Sequence, residues 1–298
     1  MTNGMGNTDL HELPKISIVT ISFNQARFLE RAIHSVLTQD YPYVEYIVVD
    51  PGSTDGSRDI IECYRDQIDK IILEPDCGPA DGLNKGFESA TGEILGYLNS
   101  DDAYLPRALT KVAASFQRHT DTEVISAHGY IVDEDGRIQQ RFYSYRFTPW
   151  RFVHGGAVVM QQSTFVRRHA FNATNGFNPS NPIWWDAELL LDLARLGMRM
   201  RVINDFWSVF TIHPHSISGQ RDIDSQRARK VASDRKLTHE RLYRSVTGHD
   251  MNRWTPLFIL TARVHKWLRH PMRFAWRVIE KSTLPIRTRA IRSRTIRL

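Results

Sequence analysis

Cysteine is almost missing from this chain: its 298 residues include two, Cys63 and Cys77. Their separation fits neither a zinc knuckle nor a disulfide framework, and such sparing use of thiols points to a reducing compartment, by default the cytosol. Long apolar runs are missing as well. Leu257 to Ala262 is interrupted by Thr261 and followed by Arg263, far short of the roughly 18 consecutive apolar residues that a spanning helix needs. Residues 1–15 are polar with no apolar core, which predicts that they do not act as a secretory signal. The glycine fingerprints that cradle phosphate are absent too, because Gly52 and Gly56 match neither the Walker nor the dinucleotide-binding spacing. Acid is scarce in one place. From Arg263 to Leu298 eleven Lys and Arg face the single Glu280, which leaves 28 cations against 32 acids upstream. The net charge of +6 therefore belongs to the tail, and a high isoelectric point is no argument for a nucleic-acid-binding core.

What is present is ordinary globular composition, 41% apolar and 24% charged, which rules out global disorder and collagen-like repeats. The length sits near the upper limit for one hydrophobic core, so it allows one large domain or one domain with appendages. Ile16 to Ile21 and Val44 to Val49 are short β-branched runs that read as buried parallel strands. Between them Phe28, Ala32, Ile33, Val36 and Leu37 recur at helical spacing after Asn24, a fitting N-cap. The rhythm continues with a helix through Ile60, Ile61 and Tyr64, a strand Lys70 to Leu73, a helix near Gly82 to Ala90 and a strand Ile94 to Leu98. An open α/β sheet follows, and ligands on such sheets bind outside the carboxyl ends of the strands. Beyond Leu98 come a helix from Leu105 through Phe116, mixed short elements to about Asn181, a helix through Leu189, Leu190, Leu193 and Leu196, and a strand Val202 to Phe210. Past Gly219 the pattern is helical and charged, with Leu257, Leu260, Val264, Trp267 and Leu268 on one stripe after Thr255-Pro256.

The chemistry-bearing residues cluster at the predicted strand ends. Leu98-Asn-Ser-Asp-Asp102 puts two adjacent acids at one such end, where one can face a nucleotide and the other a divalent cation such as Mn²⁺ or Mg²⁺. The plainer reading is that Ser100 to Asp102 caps the helix beginning near Pro106. Asp50-Pro-Gly-Ser-Thr-Asp-Gly56 supplies another acid, Asp50, with Ser53 in a turn leading into a helix; a simple β-turn and cap would explain Gly52 and Ser53 but leaves Asp50 without a partner.

Five blocks, in order and spacing, resemble glycosyltransferase family 2, the inverting nucleotide-sugar transferases with a glycosyltransferase A-type fold. They are Val19 to Asn24, Val48 to Gly56, Asp81 to Gly86 with Ala90-Thr-Gly92, Leu98 to Asp102, and Gln161 to Phe165 leading to Trp185-Asp-Ala-Glu188. The resemblance implies an α/β fold with an open, mixed, mostly parallel sheet flanked by helices, a Rossmann-like nucleotide half, and a helical basic C-terminal extension. It divides the chain into a disordered terminus at 1–14, a catalytic domain at 15–220 and an extension at 221–298.

Carried over residue by residue, the resemblance places Ser22, Asn24, Asp50, Ser53, Asp81, Asn84, Lys85, Ser100 and Asp101 around the nucleotide-sugar donor. Asp102 and His213 become metal ligands, and Asp186 becomes the general base that takes the acceptor proton, with Glu188 in reserve. The leaving group is stabilised by the cation. Gln161 and Gln162 fall on the acceptor side, and Trp184 and Trp185 form either a sugar platform or buried core. Two departures from the common pattern stand out: Pro51 where many members have an acid, and Leu83 where many have Arg, with Lys85 as a substitute cation. The expected reaction is transfer of one sugar, from a UDP-sugar or alternatively a GDP- or dTDP-sugar, to a glycan or lipid-linked acceptor in surface-polysaccharide assembly. The basic aromatic tail suits an anionic membrane surface, which would make the protein peripheral at the inner face; no base-reading motif accompanies it, so nucleic acid is not an expected partner. A nucleotidyltransferase, or a non-catalytic binder with a vestigial site, is the alternative outside the class.

Overall fold

The computed structural model describes residues 13–213, 216, 226–252, 255–269, 271 and 275. The expectation for residues 1–14 falls almost wholly outside these, as does the tail beyond Arg269 except Pro271 and Ala275. The amino half is built as the hydrophobic pattern predicts. Strands β1 (Ile16–Ile21), β2 (Val44–Val49), β3 (Lys70–Ile72) and β4 (Ile94–Asn99) alternate with helices α1 (Ala26–Leu37), α2 (Ser57–Cys63) and α3 (Pro79–Ser89). β1 pairs in parallel with both β2 and β4, and β2 with β3, so Ile16 lies level with Val44 on one side and Ile94 on the other. The central strands are covered on both faces, which is why they read as unbroken apolar runs rather than alternating ones.

The second half adds β5 (Ala103–Tyr104), α4 (Ala108–Arg118), β6 (Val124–Val132), β7 (Ile138–Phe142), α5 (Pro149–Val153), β8 (Thr164–Arg167), α6 (Arg168–Asn172), α7 (Trp185–Arg195) and β9 (Met200–Thr211). The described extension supplies α8 (Gln226–Thr247) and α9 (Thr255–Arg269). Here the pairing turns largely antiparallel: β8 joins β4 to β6, and β5 and β7 pair against β9 and β6, with β6·β9 the parallel exception. The sheet is therefore mixed, in the order β3-β2-β1-β4-β8-β6-β9-β5 with β7 on β6. The helix expected from Leu105 starts three residues later, because Ala103 and Tyr104 are first drawn into the sheet opposite Val209 and Ser208.

Strand alternation sorts the core into two layers. Ile16, Ile18, Tyr46, Val48, Ile94 and Leu98 face α1, α2 and α4, whereas Val19, Ile47, Val49, Leu95 and Tyr97 face α3, α6, α7 and α8. α3 lies close against β1 at Gly86, where any Cβ would meet Val19 Cγ1 at 2.4 Å. Leu242 of α8, 1% exposed, belongs to the second layer, so the start of the extension packs into the catalytic half. At the amino ends of the strands, buried Glu45 accepts from Ser17 Oγ (2.5 Å), Thr91 N (2.7 Å) and Thr91 Oγ1 (2.9 Å) and pairs with Lys70 (3.1 Å). Burial alone would raise this carboxyl, but those donors outweigh it and hold Glu45 down to about 2.

Candidate functional site

At the carboxyl ends of β1 and β2 two loops are clipped together. Asn24 is not the N-cap of α1. It adopts a left-handed φ of 53°, its N–H donates to Ser53 Oγ (2.8 Å) and its side-chain oxygen accepts from Thr54 N (2.9 Å), while Gln25 occupies the cap position. Asp50 also has partners that the sequence did not offer. Its carboxylate accepts from Gly52 N, Ser53 N, Ser53 Oγ (2.6 Å) and Arg58 Nε (3.2 Å), and it is wholly buried. Asp50, Ser53 and Asn24 thus shape the wall of the cleft through bonds to one another. Ser22 is different: it is buried and its Oγ has no partner among the described residues. Asp81 accepts from Cys77 N (2.9 Å), and Lys85 reaches Pro75 O (2.5 Å) and Asp81 (3.6 Å). Asn84 brackets Phe177 through N–H and C=O, each at 2.8 Å, tying α3 to the loop before α7.

The tip of β4 holds the two adjacent acids in different surroundings. Asp102 is 0% exposed, and its carboxylate accepts from Thr211 N (2.9 Å), Gln162 Nε2 and Asn99 Nδ2 (3.3 Å). Burial, and then the charge of Asp101, push it well above the usual carboxylate range. Asp102 thereby pins the end of β9 to β4. Gln162, 2% exposed, is committed to Asp102 rather than to an acceptor. Asp101 takes the outward role. Its Oδ2 lies 3.0 Å from His213 Nε2, on the segment that follows β9, and His213 stacks on Phe28 with ring centroids 4.6 Å apart. Ser100 is buried between these residues, its N–H donating to Ile21 O (3.1 Å). Arg31 of α1 locks the corner, donating from Nη2 to Asp101 O and Thr211 Oγ1, both at 2.7 Å.

Among the described residues no group of three or more His, Cys, Asp and Glu converges as a preformed metal cage. The donor chemistry nonetheless suits a cation that completes its shell with substrate oxygens: one carboxylate oxygen and one imidazole nitrogen at a single point fit Mn²⁺ or Mg²⁺ bound through a diphosphate.

On the far side of the cleft, Asp186 stands in the first turn of α7 and lines a small cavity with Tyr97, Gln161, Phe177 and Leu189. Burial pushes its carboxyl up to about 6, opposed by N–H groups at its own position and at Ala187. Glu188, the reserve candidate, is engaged by other residues. Its two oxygens take a bidentate pair from Arg241 of α8 (2.5 and 2.7 Å) and hydrogen bonds from Asn178 (3.2 Å) and Asn181 (2.6 Å). Burial would raise Glu188, yet these donors hold it below its ordinary value. Trp185 is buried in the second core layer, and Trp184 packs edge-on against Phe152 and His239, so neither is an open sugar platform.

The family model described as Glycosyl transferase family 2 matches residues 17–176, which carry the nucleotide half and the β4 tip. The chain belongs to glycosyltransferase family 2. Curated relatives within reach include an uncharacterized glycosyltransferase of Nostoc sp., 40% identical over 122 residues (40% of this chain, 38% of that one), and the putative teichuronic acid biosynthesis glycosyltransferase TuaG of Bacillus subtilis, 40% identical over 101 residues (33% and 40%). A GalNAc(5)-diNAcBac-PP-undecaprenol beta-1,3-glucosyltransferase of Campylobacter jejuni is 28% identical over 134 residues (44% and 42%). The matches span about two fifths of the length of these relatives. Among solved structures, the 1–349 portion of S. aureus TarS in complex with UDP has a TM-score of 0.57 at 17% identity over 85% of this chain and 89% of that one. The mannosyltransferase PcManGT of Pyrobaculum calidifontis, in complex with GDP-Man and Mn²⁺, has 0.59 at 17% identity over 92% and 76%. These neighbours establish the glycosyltransferase A-type fold for this family 2 chain.

Three residues of the site escaped the sequence reading. Arg31 lay within a helix read only for its apolar stripe, Asn99 within a motif read only for its acids, and Tyr97 within a strand read only as core. Alternation along β4 was the available signal for the last two, since Leu95, Tyr97 and Asn99 must share one face.

Proposed function

We propose that this glycosyltransferase moves one sugar from a nucleotide diphosphate donor, a UDP-sugar first among the choices, to a glycan or lipid-linked hydroxyl with inversion, Asp186 acting as the general base. The observation that carries this reading is where buried polar atoms are left without a partner in the protein. Among the described residues these include Ser22 Oγ just past β1, Tyr97 Oη and Asn99 Oδ1 at the end of β4, Arg31 Nε beside Asp101 and Gln161 Nε2 beside Asn99. Buried groups of this kind are rare unless a ligand or water completes them.

In the reaction the acceptor oxygen attacks the anomeric carbon as Asp186 takes its proton, and the bond from that carbon to the diphosphate breaks with its electron pair leaving on the nucleotide. A base near 6 is ionised at neutral pH and stronger than an ordinary carboxylate. When bound, a divalent cation at Asp101 and His213 supplies charge neutralisation for the departing diphosphate. PcManGT, solved with GDP-Man and Mn²⁺, and TarS, solved with UDP and UDP-GlcNAc, support both the donor class and the cation.

No helix among the described residues is long and apolar enough to cross a membrane. α9 instead presents Leu257, Phe258, Leu260, Val264 and Leu268 to solvent, at 39–73% exposure. With the cations that follow from Arg263, this face fits an anionic membrane surface on which a lipid-linked acceptor is held. The decisive experiment is calorimetric titration with UDP, GDP and dTDP, with and without Mn²⁺, on the wild type and on Asp101→Asn. Metal-dependent binding of one nucleotide, lost in the variant, is expected; absence of binding by all three would overturn the donor site.

A further inference from the structure

The cavity beside Asp186 is about 30 Å³. Ligand pockets run to roughly 300–1,000 Å³, so no sugar ring enters it. A water molecule needs about 10–15 Å³ and two to four polar partners, and apolar cavities without such partners stay dry. Most of the wall is apolar: Phe87, Leu95, Val166, Phe177, Leu189 and Leu193. Three polar side chains interrupt it, Asp186, Tyr97 and Gln161.

Each of the three is held in place. The Tyr97 ring is wedged edge-on against Phe177 (5.3 Å) and Phe87 (6.2 Å) and is 6% exposed, so its hydroxyl cannot swing to solvent, and it makes no hydrogen bond among the described residues. Its phenol is raised well above its usual range by burial first and the Asp186 charge next, which places the two groups within electrostatic reach. The orientation of Gln161 is fixed from the metal side. Asp102 Oδ2 accepts from Gln162 Nε2 and from Asn99 Nδ2 at 3.3 Å, and the same Nδ2 meets Gln161 Oε1 at 3.2 Å. Gln161 is thereby left with a buried, unpartnered Nε2. One acceptor and two potential donors thus line a space of water size.

Resting on the reading of Asp186 as the base, we infer that this cavity binds one water molecule shared by Asp186, Tyr97 and Gln161, and that Tyr97 and Gln161 are positioning residues for the base. The water donates to the carboxylate and accepts from the phenol or the amide. It stabilises the ionised form of Asp186 inside an apolar wall and fixes the direction of its free oxygen toward the acceptor. It also closes a hydrogen-bonded chain from Asp102 through Asn99 and Gln161 to Asp186, linking the donor side of the cleft to the acceptor side. The titratable groups around Asp186 are Tyr97 from β4, with Asp102 beyond it; on α7 itself Glu188 is turned away onto Arg241.

The test combines a high-resolution crystal structure of the full chain with the pH profile of kcat/KM for wild type and Tyr97→Phe, which removes one hydroxyl and leaves the ring. A resolved water within hydrogen-bond reach of all three side chains is expected in the wild type. In Tyr97→Phe the acid limb should move to higher pH, lowering kcat/KM about three- to tenfold more at pH 6 than at pH 8. Absence of that water in the wild type, or a variant profile that overlays the wild type, overturns the inference. The wild-type density decides even if the variant fails to fold. Near wild-type transfer by Asp186→Asn would instead refute the base assignment, whatever the density shows.

Discussion

The two ends of the parallel strands hold comparable numbers of polar groups and treat them oppositely. At the amino ends Glu45 has donors from β1, from the turn before β4 and from β3, and Gly92 N closes the set by donating to Ser17 Oγ (2.8 Å). No Cβ fits at Gly92, which would sit 2.6 Å from Ser17 N, so the family-like Ala90-Thr-Gly92 block is explained here by packing. At the carboxyl ends Ser22, Tyr97, Asn99 and Gln161 keep buried atoms without partners, and Asp186 is held near 6 by an apolar wall. Among the described residues one end is complete as folded, and the other keeps buried atoms open for the ligands proposed above. A buried carboxylate in this fold is therefore structural or functional according to its donors.

The largest break in that contrast comes from Asp186→Asn, which should lower transfer by about 10²–10⁴-fold while leaving nucleotide affinity intact, as measured by steady-state kinetics beside calorimetry. The same substitution should stabilise the fold. Because burial raises the Asp186 carboxyl from 3.8 to about 6, the folded state resists its ionisation, and stability is lost as pH rises through that interval. Two decades in acid dissociation correspond to about 3 kcal/mol as an upper bound, so the variant's denaturant midpoint should exceed the wild type's at pH 7 and match it below pH 4.

Glu45→Gln should do the reverse, costing about 3 kcal/mol at neutral pH with unchanged nucleotide affinity per folded molecule. Here the folded carboxyl is depressed to about 2, so its contribution is present above the ordinary 4.5 and disappears as pH falls toward 2. Urea titrations at pH 7 and pH 3 would show the gap closing. Glu188→Gln is a sharper probe because it lies two residues from the base. Arg241 is 48% exposed and can turn to water, so a cost of only about 1–2 kcal/mol is expected, with the pH profile of transfer unmoved. A shifted acid limb would return Glu188 to the reaction. The smallest effect is at α9: Leu260→Glu with Leu268→Glu should weaken sedimentation with anionic vesicles several-fold and spare transfer to a water-soluble acceptor.

Legibility in the sequence follows the same division. The strands and helices from Ile16 to Asn99 were readable because each buries a continuous apolar run or stripe and the chain connects neighbours in order. The stretch from Ala103 to Asn181 was not, because its strands are placed by partners distant in sequence, as β6 is by β9 and β8. The choice between Asp101 and Asp102 had the same obstacle. Adjacent residues in a turn look alike until Thr211 N, 109 positions on, claims one of them. The partner of Glu188 is Arg241, 53 positions on, in a helix that the pattern showed only as charged. Asp186 stood out as an acid at the start of a leucine-rich helix, although its environment did not.

The Glu188–Arg241 pair and the burial of Leu242 also settle where this chain can be cut. Removing everything after residue 220 would bare an apolar socket and leave a carboxylate without its counter-charge, so loss of solubility in such a fragment would say nothing about membranes. A stop codon placed after Arg269 keeps α9, whose Ala262 is buried against Gly156, and is the boundary from which the basic tail can be shortened and its own contribution read.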